Sequence, residues 1–235
     1  EIEALRKKGL QNKKPYSKQK INTPVSFWTK KERLLDKIGK EFTIILRTKG
    51  CYWALEQGGC SMCGYIEDAN IEDVSPEQIK NQFDYALENT IEEINQDNNE
   101  YILKIFNSGS FFDDSEVNKE VRKYIYGKVA QIPKIKEFVI ESRVELITQD
   151  KIEEIKEILS DKHVEIGVGV ESVNDHIRNK YINKGINLKD FIRIKELCYK
   201  NGIEVKAYLL FKPPFLNEEG AIDDCISSIK TLIDM

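Results

Sequence analysis

The chain has 235 residues, 40% of them hydrophobic and 32% charged, with a formal net charge of -4, which is typical of an ordinary globular protein and excludes a disordered one. Its longest apolar run, AYLLF, is far too short to cross a bilayer, and the first residues lack the apolar segment of a secretory signal peptide. We therefore expect a cytoplasmic protein without membrane association, in a reducing compartment where clustered cysteines bind metal more often than they form disulfides.

The first 40 residues are predicted to form a basic N-terminal extension, ahead of a core that covers residues 41–235. Residues 1–50 contain 14 Lys and Arg against 5 Asp and Glu, whereas the remainder contains 22 against 35. A basic arm on an acidic body is typical of proteins that bind nucleic acid. A solvated, lysine-rich extension fits the same charges, so charge alone leaves both interpretations open.

From residue 41 onward, short β-rich runs alternate with longer helical segments. Strands are predicted at residues 41–48, 101–106, 137–142, 164–172 and 205–211, and helices at or just after Ser75, Ser115, Thr148, Asn187 and Glu218. Five such units in series predict a parallel sheet with right-handed crossovers. The strands are almost continuously apolar, which fits burial on both faces.

Polar residues follow the predicted strands at their carboxyl ends: Cys51, then residues 107–110, 141–143, 171–172 and 212–214. Because the carboxyl ends of parallel strands meet on one face, this pattern indicates a barrel-type active site. Five units are too few to close an eight-stranded barrel. The sequence therefore predicts an α/β fold with an open, partial parallel βα barrel of about five to six units.

Three of the five cysteines lie in the stretch CYWALEQGGCSMCGY, spaced Cys51-x8-Cys60-x2-Cys63. The close pair has chelating spacing, and the two glycines before it give the loop backbone freedom. Structural zinc requires four closed ligands, but the other cysteines and histidines lie about a hundred residues away. Three thiolates without a local fourth ligand fit a [4Fe–4S] cluster with one open iron; zinc is the alternative.

The stretch after the first predicted strand resembles the radical S-adenosylmethionine (SAM) superfamily. There, three cysteines hold the cluster and SAM chelates the fourth iron. The usual spacing is Cys-x3-Cys-x2-Cys, so the x8 gap is a departure. The longer run ILRTKGCYWALEQGGCSMCGYIED is similar to the archaeal radical SAM lyase branch of archaeosine tRNA biosynthesis, which is related to the catalytic subunit of Elongator. The resemblance covers roughly residues 25–235.

The resemblance implies SAM-binding residues at the strand ends. The turn after the second predicted strand replaces a Gly-Gly-Glu-like motif that receives the SAM amino group, and its residues are Asn107, Ser108, Gly109 and Ser110. An ordinary turn is the alternative for this segment. Met62, inside the cysteine loop, is assigned to the same SAM-binding set.

Two further strand ends complete that set. Glu141 and Arg143 resemble a Glu-x-Arg-Pro-Asp motif of the Elongator-like branch, although the last two positions differ here. Glu171 and Ser172 match the fourth-strand end that reaches the ribose or carboxylate of SAM. Arg178 is assigned to the SAM carboxylate, and Lys184 is a candidate for the same contact; solvent exposure is the alternative for both. Lone buried carboxylates are costly, so both glutamates are expected to have partners.

The implied activity is that of a radical SAM enzyme, a carbon–nitrogen lyase acting on tRNA. A 5′-deoxyadenosyl radical formed from SAM abstracts hydrogen from the lysine adduct of a 7-deazaguanine base, and cleavage leaves archaeosine. The implied partners are tRNA, the lysine-transferring archaeosine synthase subunit and an electron donor. Trp53, inside the cysteine loop, is expected to shield the cluster, with base stacking as the alternative.

Other functions fit parts of the pattern. The nearest is a different radical SAM tRNA modification, Elongator-like or methylthiotransferase-like. Methylthiolation usually requires a second cluster, for which only Cys198 and Cys225 are left, and we expect both to be core thiols. A non-enzymatic, zinc-stabilised RNA-binding protein is the alternative of another class. The sixth strand of a radical SAM core is expected to lie beyond residue 235.

Overall fold

Six strands form one sheet in the computed structural model, which describes residue 4, residues 8–10 and residues 13–235. The strands are β1 (Ser26–Arg33), β2 (Ile38–Ile45), β3 (Tyr101–Phe106), β4 (Ile135–Glu141), β5 (His163–Glu171) and β6 (Glu204–Leu209). They lie in chain order across the sheet. β1 pairs antiparallel with β2, and every later pair is parallel. The predicted open parallel βα architecture is confirmed.

Helices connect the parallel strands. They are α1 (Tyr52–Gln57), α2 (Pro76–Glu88), α3 (Ile91–Gln96), α4 (Lys119–Ala130), α5 (Gln149–Ile158), α6 (Leu188–Lys200) and α7 (Glu218–Ile233). α2 begins as predicted, because the Ser75 hydroxyl accepts from the Gln78 backbone N–H and the Gln78 side chain accepts from the Ser75 N–H. α4 begins later than predicted, since Ser115 is bonded to Asp113 in a turn and another side chain, that of Asn118, caps the helix.

Strand β1 was not predicted. The expected boundary at residue 40 lies inside β2, and the expected basic extension contains a complete edge strand. The sequence SFWTKKER looks like a solvated segment because its charges are conspicuous. In the structure Trp28 and Lys30 contact Glu41 on β2, so cross-strand partners account for those polar residues.

The core lies between the sheet and the helices. Alternate side chains of the central strands, such as Phe42, Leu103 and Phe138, pack with helix residues such as Phe83 and Ile125. The opposite face of the sheet carries the ion pairs Lys104–Glu41 and Lys206–Glu165 beside a small apolar cluster of Leu34, Ile102 and Val139. This period-2 division explains why strands that look uniformly apolar still carry charged residues.

The last βα unit leaves apolar surface exposed. On α7, a stripe of half-exposed or more exposed side chains runs along one face: Ile222, Ile226, Ile229 and Ile233. Within the described part of the chain, β6 pairs only with β5. None of the helices described here is both long and apolar enough to cross a membrane.

Candidate active site at the carboxyl ends of the strands

A cleft of about 480 Å³ opens where the parallel strands end. Its wall combines the cysteine loop with side chains from the ends of β4, β5 and β6. The predicted site residues that line it are Cys51, Cys60, Cys63, Met62, Ser108, Gly109, Glu141, Arg143 and Glu171. The predicted convergence of strand ends therefore forms a cavity.

The cysteine loop is shaped by its two glycines. Gly58 and Gly59 have φ values of 79° and 69°, a left-handed conformation that glycine adopts at little cost. A turn follows, in which the Cys63 N–H donates to the Cys60 carbonyl at 3.1 Å. Cys51 stands immediately before α1. The loop thus returns on itself and brings all three thiols to one cleft.

The donor set fits an iron–sulfur cluster with an open iron. Among the described residues that line the cleft, no histidine and no fourth cysteine is present. In that part of the chain, no three His, Cys, Asp or Glu side chains already meet at the distance of a single metal ion, and a multi-iron cluster requires wider spacing of its thiolates than one zinc ion. Cys198 is buried in the main core, as predicted, and Cys225 is half-buried on α7.

Trp53 supports the loop from behind. Its indole Nε1–H donates to the Asn183 carbonyl at 2.7 Å, and the Arg143 guanidinium lies 4.9 Å from the ring centroid. Trp53 is not among the described residues that line the cleft. These contacts brace the cysteine loop, and the expected shielding of the cluster stays a prediction.

The turn after β3 is divided between two environments. Ser108 and Gly109 line the cleft, but Asn107 and Ser110 do not. The Asn107 side chain and the Ser110 backbone N–H each donate to Glu116 at 3.0 Å. The structure gives Asn107 and Ser110 a partner that the sequence did not reveal, a buried carboxyl group, and contact of either residue with SAM stays a prediction.

Glu116 is buried beneath this turn. Besides those two bonds, it accepts a bond of 2.5 Å from the Thr48 hydroxyl. Burial raises the pKa of Glu116 to about 7, and the nearby charge of Asp113 adds to the rise. The position of Glu116 explains why residue 109 is a glycine, because a Cβ at Gly109 would collide with the Glu116 carboxyl group and the Cys51 Cα atom.

At the end of β4, Glu141 and Arg143 both face the cleft. The Tyr208 hydroxyl hydrogen-bonds Glu141, whose pKa is raised by burial and by the charge of Glu171. Arg143 donates to Glu145 and, at 2.9 Å, to the Lys184 carbonyl. Position 145, where the chain departs from the family motif, thus keeps a carboxylate that pairs with Arg143.

At the end of β5, a bulge changes the direction of the chain. The β5–β6 register shifts between Gly169 and Glu171, and Glu171 has a φ of 64°. A non-glycine residue in this region is strained by about 1–3 kcal/mol, and bulges of this kind re-aim side chains next to active sites. Here the carboxylate of Glu171 turns into the cleft and pairs with Lys184 at 2.8 Å.

Ser172 and Arg178, for which SAM contact stays a prediction, have structural partners inside the fold. The Ser172 hydroxyl donates to Asp224 on α7 at 2.6 Å. Arg178 is fully buried and donates to the carbonyls of Ser172 at 2.5 Å and Ile186 at 3.0 Å. Neither residue lines the cleft. Their polar groups are used to tie the segment after β5 to its neighbours.

Sequence reasoning missed two groups in the cleft. Tyr208 shares with Lys206 the polar face of β6, and the period-2 pattern of that strand was the available signal. Tyr65, 62% exposed, lies at the cleft beyond the last cysteine. Lys184, considered only as a SAM-carboxylate or solvent-facing residue, lies in the wall of the cleft.

An open parallel βα sheet with a three-cysteine loop after its first parallel strand, and with charged groups converging from later strand ends, defines a metallocofactor enzyme of the βα-barrel class. The chain belongs to the radical SAM superfamily, whose sequence profile matches residues 45–224. The cofactors of that superfamily are a [4Fe–4S] cluster and SAM, and the three thiols in one cleft fit the cluster. The zinc-binding alternative is thereby set aside.

Relatives agree with this assignment. An uncharacterized protein of Methanocaldococcus jannaschii is 47% identical over 100% of this chain and 63% of its own length. The archaeosine synthase subunit beta of Thermococcus kodakarensis is 37% identical over 87% of this chain and 62% of its own length. The chain therefore spans about three fifths of the length of the curated relatives it matches.

The fold likeness extends to solved structures. The cobalamin-dependent S-adenosylmethionine radical enzyme OxsB superposes with a TM-score of 0.52 over 77% of this chain and 25% of its own chain. The sequence identity is 16%. At that level the likeness concerns the fold alone.

Proposed function

We propose that this chain is the radical SAM part of a tRNA-modifying lyase that cleaves the lysine adduct of a 7-deazaguanine base to form archaeosine. The observation that carries the proposal is the 37% identity, over 87% of the chain, to a protein named archaeosine synthase subunit beta. The proposed partners are tRNA, a lysine-transferring synthase subunit and an electron donor, in the cytoplasm.

When bound, the reduced cluster and SAM supply a 5′-deoxyadenosyl radical that abstracts hydrogen from the substrate. The protein's own task is to hold, orient and enclose. Cys51, Cys60 and Cys63 would hold the cluster, and the backbone of Ser108 and Gly109, which line the cleft, would bind polar groups of SAM.

Charged groups opposite the cysteine loop would orient the bound molecules. Glu141 and Glu171 offer carboxylates, and Lys184 offers an ammonium group, within the same cleft. Such a set can bind the amino and carboxylate groups of an amino acid moiety, whether of SAM or of a lysine adduct. The mouth is bordered by Met62, 38% exposed, and by Tyr65, whose ring can cover the cleft or stack on a base.

The test is anaerobic turnover on tRNA that carries the lysine adduct. The protein is reconstituted with iron and sulfide, supplied with SAM and a low-potential reductant, and the nucleosides are then analysed by mass spectrometry. We expect 5′-deoxyadenosine, methionine and conversion of the adduct to archaeosine. Cys60→Ala abolishes all three products, whereas Cys225→Ala, a half-buried cysteine outside the cleft, retains them.

The products separate the alternatives. SAM cleavage without any change in the adduct would contradict the proposed substrate while leaving the superfamily assignment intact. A methylthio- or carboxymethyl-type nucleoside would identify a different radical SAM tRNA modification. Methylthiolation has little support from the structure, because Cys198 is buried in the core on α6 and Cys225 lies on α7, so neither offers a second cluster site.

A further inference from the structure

Residues 181–185 are here named the clasp segment. Four consecutive backbone carbonyls of this segment accept hydrogen bonds from the cysteine loop and from Arg143. Ser61 donates to the carbonyls of Tyr181, through its hydroxyl at 2.8 Å, and Ile182, through its N–H at 2.7 Å. The carbonyl of residue 183 accepts from Trp53 at 2.7 Å, and that of residue 184 accepts from Arg143 at 2.9 Å. The segment and the loop are thus one hydrogen-bonded unit.

The backbone of the clasp segment has the unusual conformation that this arrangement needs. Asn183 has a φ of 58° and Gly185 a φ of 70°, so left-handed residues stand on both sides of Lys184. The Asn183 side chain donates to the carbonyls of Gln57 at 3.1 Å and Gly59 at 2.9 Å. Asparagine tolerates this region better than most residues. These bonds fix the direction in which Lys184 leaves the backbone.

Lys184 extends into the cleft and meets Glu171. The two side chains are 13% and 9% exposed, and Nζ lies 2.8 Å from Oε1. Gly169 provides the space, because a Cβ at that position would collide with both charged groups. A strained glutamate, a bulge and a glycine without room for a side chain all serve this one ion pair. Strain of this kind indicates a functional constraint.

The pair stands next to the thiols of the cysteine loop. Cys60, Glu171 and Lys184 line the same cleft. The Lys184 ammonium group lies 2.8 Å from the Glu171 carboxylate, so the positive charge at this point of the cleft has an opposite charge beside it. Arg143, which also faces the cleft, is already paired with Glu145.

We propose that Lys184, held in place by the clasp segment and partnered by Glu171, sets the reduction potential of the cluster that Cys51, Cys60 and Cys63 bind. Reduction adds one electron from an external donor and makes the cluster more negative. A buried positive charge nearby stabilises the reduced form and raises the potential, and a nearby carboxylate lowers it. The proposal does not depend on which substrate the enzyme uses.

The two partners of the pair therefore predict shifts of opposite sign. Lys184→Met removes the charge and keeps the apolar stem, so we expect a more negative midpoint potential. Glu171→Gln removes the opposing charge and keeps the shape, so we expect a less negative one. Lys184→Arg keeps the charge and should remain near the wild-type value.

The measurement is a redox titration monitored by EPR on the reconstituted protein, without SAM or tRNA, with iron and sulfide quantified in every sample. Lys206→Met is the matched control: it removes a lysine paired with Glu165 on the same sheet face, outside the cleft, and should leave the potential unchanged. If the Lys184→Met protein does not load a cluster, the potential of Glu171→Gln decides. Equal potentials in fully loaded variants, or shifts of the same sign, would overturn the proposal.

Discussion

Glu116 illustrates how a single buried group supports the cleft. Its carboxyl group accepts bonds from Thr48, Asn107 and the backbone of Ser110, and so holds the turn whose other side faces the cysteines. Because its pKa is raised by burial from 4.5 to about 7, the folded state keeps a proton that the unfolded state loses. Its contribution to stability therefore depends on pH.

The sign and range of that dependence follow from the two pKa values. Below pH 4.5 Glu116 is protonated in both the folded and the unfolded state, so it adds no pH dependence to the free energy of unfolding. Between pH 4.5 and about 7 the folded state binds more protons than the unfolded state, so the free energy of unfolding falls as pH rises. Above pH 7 the ionisation of Glu116 has lowered the free energy of unfolding by about 3 kcal/mol in total.

Denaturant unfolding between pH 4.5 and 8 tests this prediction. Glu116→Gln removes the titrating group, and its free energy of unfolding should be flatter across this range than that of the wild type. Parallel pH profiles for the two proteins would show that Glu116 does not titrate as described.

Gly185 gives a second prediction at this scale. A Cβ there would collide with the Trp53 ring, and the φ of 70° disfavours any side chain. Gly185→Ala should therefore lower both the melting temperature and the iron bound per chain. Gly202→Ala is the matched control, since Gly202 has the same φ of 70° but nothing within 4 Å of a built Cβ.

The comparison separates backbone strain from the collision with Trp53. Strain alone costs about 1 kcal/mol or more wherever alanine is forced to a positive φ, so both variants should be destabilised. Only Gly185→Ala should lose iron. Equal iron content in the two variants would mean that the contact between the clasp segment and Trp53 is not needed for loading.

At the scale of elements, β1 is attached to the sheet by a charged cluster. Glu41 on β2 is buried, with a side chain 3% exposed, and accepts from Lys104 at 2.6 Å and from Trp28 at 2.8 Å. Burial opposes ionisation, but Lys104 and Trp28 outweigh it and lower the pKa of Glu41. Lys104 also pairs with Glu32 on β1 at 2.8 Å, so it connects three strands.

Removing Lys104 should therefore be costly. Lys104→Met leaves the buried Glu41 carboxylate without its principal cation, and we expect a loss of about 3 kcal/mol in the free energy of unfolding. Lys30→Met is the control, because Lys30 is 61% exposed and pairs with the same carboxylate at 3.2 Å; it should cost less than about 1 kcal/mol. The prediction fails if both variants lose the same stability in urea titrations.

At the scale of the whole molecule, the cysteine loop and the sheet are packed against separate groups of buried apolar side chains. Ala54, Ile66 and Ala69 form a small cluster under the cysteine loop, distinct from the main core between sheet and helices. The main core contains many more buried side chains. The sheet should therefore keep its structure when the iron–sulfur cluster is removed, while the cysteine loop becomes mobile.

Hydrogen exchange measured with and without the iron–sulfur cluster tests this expectation. After removal of iron with a chelator and oxidant, we expect faster exchange in residues 51–70 and in the clasp segment, with β3 and β4 unchanged. Low-stability segments that bind ligands exchange independently of the core. A general loss of protection from hydrogen exchange across the sheet would show that the apolar group under the cysteine loop is not independent of the main core.

The sequence by itself determined the series of βα units, the helix cap at Ser75 and the cysteine loop, because each depends on short-range periodicity or spacing. Only the tertiary structure decided which strand-end groups face the cleft. A bulge turns Glu171 inward, whereas Arg178 and Ser172 are used inside the fold. The bonds of Glu116 to Thr48 and of the Lys184 carbonyl to Arg143 join residues 68 and 41 positions apart, and local pattern contains no information about such partners.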